Sequence, residues 1–138
     1  MQTPWTRILL CILALFSVAC GGGNAAPPSH ELQRTTSGNI VVVLLADHDE
    51  VKQGRDTLSL EFRGADGTLK DVGTVRVNAT MSMAGMAPML GTIEIARTST
   101  PGRYAVSTDL GMSGGWQLNV EWDGPVGRGT ARLQQTVR

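Results

Sequence analysis

The sequence predicts an all-β domain, an immunoglobulin-like β-sandwich of about seven strands that follows a signal peptide and a flexible tether. Three observations predict it. From Asn39 onward apolar residues recur with a period of two rather than the 3.6 of a helix. The apolar segments are short and bounded by turn residues, among them Gly64 to Gly67 (GADG) and Pro101-Gly102. The strands also crowd into roughly 100 residues, a density that favours a sandwich over a closed barrel.

The elements follow in order. Ile40 to Ala46 is apolar throughout and β-branched at its start, as expected of a strand buried on both faces or leading into a core. In Thr57 to Arg63, Leu58, Leu60 and Phe62 alternate inward against Ser59 and Glu61 outward. The GADG turn leads to Thr74 to Ala79, where Val75 and Val77 alternate with Arg76 and Asn78. Thr92 to Ala96 places Ile93 and Ile95 on one face, and Pro101-Gly102 turns the chain into Tyr104 to Thr108. The next strand has the cleanest alternation: Trp116, Leu118, Val120 and Trp122 face the core against Gln117, Asn119 and Glu121. Trp122 is assigned to structure. Thr130 to Val137 closes the domain through Ala131 and Leu133.

The chain ahead of these strands reads differently. Residues 1–19 have the layout of a lipoprotein signal peptide: Arg7, an apolar run of 11 residues from Ile8 to Val18, then Ala19 before a cysteine. A bilayer-spanning helix needs about 20 apolar residues, so a permanent transmembrane segment is the weaker reading. Ser17-Val18-Ala19-Cys20 resembles a bacterial lipobox, with Ser17 where that motif has leucine. Acylation of Cys20 would anchor the protein to the membrane, and ordinary cleavage leaving a free thiol is the alternative. Residues 20–38 form the expected tether, opened by the Gly/Pro-rich GGGNAAPPS of Gly21 to Ser29, and the sandwich domain occupies 39–138. His30 falls in that tether, without an expected partner. Gly22 after the cysteine, where aspartate would retain a lipoprotein at the inner membrane, directs the protein to the periplasmic face of the outer membrane, or to the outer face where a cell has one membrane.

Composition narrows the function. Cys11 lies inside the signal and Cys20 at its edge, so the domain is expected to have no disulfide and to depend on packing. The 12 basic and 12 acidic residues balance, and the basic ones are scattered rather than clustered, so no nucleic acid partner is expected. With two histidines in the whole chain, one of them in the tether, no Ser-His-Asp or Cys-His arrangement is credible, and no phosphate loop or zinc spacing is present. An enzyme is not expected.

Chemistry concentrates instead in TMSMAGMAPML, Thr80 to Leu90, which holds four of the chain's six methionines, Met81, Met83, Met86 and Met89. Thioether sulfur is soft and neutral, suits copper(I), and persists in an oxidising compartment without forming disulfides. Met81 and Met83 share a face if the strand continues that far, while Met86 and Met89 follow in a loop loosened by Gly85 and turned by Pro88. Met112 heads another strand and could complete the site, with Trp116 as a cap over the ion. The same methionines could equally be plastic core filler, or an exposed patch that docks an envelope partner protein without metal. A second candidate, ADHDE, sets His48 between Asp47 and Asp49 with Glu50 next, offering ligands for Cu(II) or Zn²⁺. Adjacent strand residues point to opposite faces, so these groups converge only in a loop; the alternative is a solvated turn.

VKQGRDTLSLEF, a DG turn, VRVNATMSMAGMAP and PGRYAVSTDLGMSGGWQLNVEWDG, in that order, resemble the YtkA-like and FixH-related family of small exported bacterial domains from about Ile40 to Val137. That resemblance implies an immunoglobulin-like sandwich, export, and an association with copper handling and haem–copper oxidase assembly. Ala84 stands where the family has proline after its second methionine.

Overall fold

The computed structural model describes residues 28 and 30–138 of the chain. The expected signal peptide, Cys20 and most of the Gly/Pro-rich stretch lie outside the described residues. Eight strands appear in the order β1 (His30–Ser37), β2 (Ile40–Ala46), β3 (Gly54–Gly64), β4 (Thr74–Met81), β5 (Met89–Arg97), β6 (Arg103–Leu110), β7 (Gly114–Gly124) and β8 (Gly127–Val137). All seven strands expected from the sequence are present, most of them extended by a few residues. β1 is an addition. It occupies a stretch the sequence assigned to the tether, so among the described residues the sheet already includes His30–Ser37, ahead of residue 39.

Every ladder is antiparallel, and the strands follow one another as β1-β2-β3-β6-β5-β4-β7-β8. β5 is shared between two layers. Its first residues pair with β4, at Ala79↔Gly91 and Met81↔Met89, and its remainder pairs with β6, from Thr92↔Asp109 to Arg97↔Tyr104. The change of partner falls at Gly91, where an added Cβ would run into Leu110 and lie 3.1 Å from Trp116 Cζ3 and 3.2 Å from Ala79 Cβ. The layers meet again on the opposite side, where Gln135 of β8 donates to Gln33 Oε1 of β1 at 2.8 Å.

The inner faces carry the core. Val42, Leu44, Leu58, Leu60, Phe62, Val106, Leu118, Val120 and Leu133 are enclosed, as are Trp116 and Trp122 on the same face of β7. Phe62 is set edge-on to Tyr104 and to Trp122, with ring centroids 5.5 and 5.4 Å apart, a geometry aromatic quadrupoles favour. The expected outward exposure of Ser59 and Glu61 does not hold, since both are buried. β3 lies inside its sheet, flanked by β2 and β6, and arginines cover its outer face. Glu61 accepts from Arg103 Nε at 2.8 Å and Arg63 Nε at 2.9 Å, so the carboxylate leaves water only because two guanidiniums replace it.

Register determines which loops meet. The pairs His30↔Ala46, Gly54↔Leu110, Met81↔Met89 and Gly114↔Val137 bring the entry of the chain and the loops 47–53, 82–88 and 111–113 to one end of the sandwich. Val51 plugs that end as a core residue, fixed by a parallel bridge to Val137.

A candidate methionine site

Alternation along β4 puts Val75, Val77, Ala79 and Met81 on its inner face, and along β5 it does the same for Met89, Ile93 and Ile95. Met81 is the last residue of β4, Met89 the first of β5, and they are direct cross-strand partners. Directly opposed side chains on one face have Cβ atoms about 4.5–5.5 Å apart, within reach of each other's thioethers. Both are half-buried and pack on the core. The sequence placed Met89 in a loop; its register shows that it closes the hairpin instead.

Strand β4 ends at Met81, so Met83 lies beyond the ladder and does not continue its face. Met83 and Met86 belong to the connecting loop, where the Met86 N–H donates to the Met83 carbonyl at 3.3 Å. Gly85 between them takes φ 74°, a left-handed conformation that a side chain would strain. Met83 is half-buried and Met86 is 66% exposed.

Met112 comes to the same end from the β6–β7 turn and is 41% exposed. Two bonds hold that turn: Trp116 Nε1–H donates to the Met112 carbonyl at 2.9 Å, and Gln53 Nε2–H to the Gly111 carbonyl at 3.0 Å. The Met81 side chain lies across Gly114, where a Cβ would strike its Cε and approach its Sδ to 3.8 Å. A glycine is thus required for the thioether to lie over the strand that follows Met112. The Trp116 ring is fully enclosed in the core, so its contribution at this end is to position the Met112 turn rather than to cover an exposed ion. Leu90, 76% exposed on the outer face of β5, is a third exposed apolar side chain at this end of the sandwich, with Met86 and Met112. The sequence pattern did not mark it, because an outward leucine in a half-buried strand looks like an ordinary core residue.

The acidic candidate separates. His48 Nε2 is 2.8 Å from Asp56 Oδ1, Asp49 meets His30 Nδ1 at 2.9 Å, and Glu50 meets Arg138 at 3.3 Å. Asp49 therefore supplies the partner that the sequence did not foresee for His30. Among the described residues no three or more His, Cys, Asp or Glu side chains gather as a metal site. His48, Asp56 and Thr108 instead border an open cleft of about 700 Å³. Asp56 also accepts the Lys52 and Thr57 N–H groups at 2.9 and 2.8 Å, which fixes the β2–β3 loop on β3.

A family profile described as YtkA-like matches residues 36–121. The crystal structure of the Lin-41 filamin domain is similar at 16% identity and a TM-score of 0.48, over 77% of this chain and 98% of that one. No curated protein matches the chain in sequence.

Proposed function

The chain belongs to the YtkA-like family, and from that membership we propose an exported, membrane-anchored domain that binds or delivers Cu(I) through methionine thioethers. The observation that carries this reading is the Met81↔Met89 pair at the hairpin tip, with Met83, Met86 and Met112 on the loops beside it. A soft monovalent ion needs few ligands and no charge from them, and thioethers select it against hard cations. The two kinds of methionine have different tasks. Met81 and Met89 are held by the ladder and supply a fixed pair. Met86 and Met112 are exposed, so they can release the ion to an acceptor without unfolding the sandwich.

Anaerobic titration of the purified protein with Cu(I) against a competing chelator tests the reading. Stoichiometric uptake is expected, with Met81→Leu and Met89→Leu each weakening it about tenfold or more, equivalent to about 1.4 kcal/mol. Met↔Leu exchange nearly conserves volume and leaves the fold in place. His48→Ala should bind as the wild type does. Weak uptake that is equal in all four proteins rejects copper. That outcome favours a metal-free interaction or assembly module, whose supporting observation is that Met86, Leu90 and Met112 are exposed apolar side chains at one end of the sandwich.

Anchoring rests on Cys20 after its apolar leader. Cells fed a palmitate analogue should label the protein and fail to label Cys20→Ser; an unlabelled wild type removes the anchor from the proposal.

A further inference from the structure

Beyond Gly91 the β4–β5 hairpin opens. β5 turns away to ladder on β6, while β4 stays on β7. Residues 74–78 of β4 and 92–97 of β5 are left with one edge each that has no ladder partner among the described residues. The inner positions along this seam, Val75, Val77, Ile93 and Ile95, are half-buried, whereas Val106 and Val120 deeper in the same core are fully enclosed. Unpaired backbone beside half-covered aliphatic side chains is a template for another strand.

The seam has its own register. Counting outward from Ala79↔Gly91, Asn78 stands level with Thr92, Val77 with Ile93, Arg76 with Glu94 and Val75 with Ile95. A ladder in that register would join aliphatic to aliphatic on the inner face and cation to anion on the outer one. Within one chain it is not made, because β5 has already left for β6. Arg76 and Glu94 are both exposed, and neither takes part in an ion pair among the described residues.

We propose that two copies of this chain associate through this seam, β4 of each pairing antiparallel with β5 of the other. A two-fold axis along the seam produces this arrangement, because β4 and β5 already run antiparallel and opposite at equal height. Each contact is then made twice, as an isologous interface requires, and each layer of one copy continues into a layer of the other. The charges favour a second copy over an unrelated strand. Arg76 on one lip and Glu94 level with it on the other satisfy the two-fold, whereas pairing β4 with β4 about Arg76 would oppose like charges.

Sedimentation velocity of the full chain in mild detergent, over a range of concentrations, tests this. A reversible dimer is expected. Arg76→Glu and Glu94→Arg should each raise its dissociation constant about tenfold or more, since each puts two like-charge pairs in the interface, and the double exchange should restore the dimer. Val77→Asp, monitored by circular dichroism to verify folding, should give a monomer. A wild type that stays monomeric overturns the proposal, even if its seam captures an added extended peptide. A dimer indifferent to the charge reversals and to Val77→Asp overturns it as well. Neither result depends on copper.

Discussion

Tyr104 places its hydroxyl at the end of the sandwich away from the methionines, where it donates to the Gly73 carbonyl at 2.7 Å. Burial pushes its phenol above the ordinary value of 10.0, with the Arg97 cation opposing and the Asp71 carboxylate reinforcing. The folded protein therefore holds this proton after the unfolded chain has begun to lose it. The stability concerned is fully present below about pH 10 and is lost as pH rises through the folded value. Urea unfolding between pH 8.5 and pH 11, a range set by the phenol's ordinary value of about 10, should show a falling free energy that Tyr104→Phe flattens; equal slopes in the two proteins would refute it. Among single residues, the inward tryptophan and leucine positions followed from alternation alone. Ser59 and Glu61 did not, because alternation names the face a side chain leaves by, not what covers that face. Arg63 and Arg103 bury Glu61 from the same strand and from β6, and that pairing depends on register.

Among the elements, β1 was the least legible. HELQRTTS has no apolar alternation, and its Leu32 alone resembles a core residue. The strand exists because β2 presents a complete backbone edge, which β1 pairs from His30↔Ala46 to Ser37↔Ile40 across one bulge. Partner geometry here outweighs propensity, as is common for strands. A chain beginning at Asn39 should consequently fail. It would expose the β2 edge, an all-apolar strand with Val43 on its outer face, and unpaired edges of that kind aggregate. Sedimentation of the truncated protein beside a chain beginning at His30 checks this; a soluble, equally stable truncation would show β1 to be dispensable. β5 was found from the sequence only over Thr92 to Ala96, without its first residues Met89 to Gly91. Gly91 interrupts its inward series of Met89, Ile93 and Ile95, and that gap was the signal in the sequence that the strand changes layers. Only contact with Leu110, Trp116 and Ala79 shows why no side chain fits there.

At the scale of the whole molecule, the sandwich is stabilised by packing between two layers that share β5 and approach again through β1 and β8. Its ends differ in composition. One carries the aromatic group of Phe62, Tyr104 and Trp122 beside glycine-rich turns, and the other carries the methionine loops, the Val51 plug and the point where the chain enters at His30. The sequence by itself determined the all-β class, seven of the strands, the inward tryptophans and the concentration of thioethers, because period-two alternation and composition are local and survive without a partner. The tertiary structure alone decided which methionines meet. Met81 and Met89 are eight positions apart, and Met112 belongs to the connection between β6 and β7, which do not pair with each other; antiparallel register and the layer change at Gly91 bring them to one end. It also decided that the acidic ADHDE run would separate onto His30, Asp56 and Arg138, since each partner lies on an element that local sequence does not place beside it. Register is a relation between distant segments, set by the burial of whole faces, and a one-residue shift would invert every face it determines.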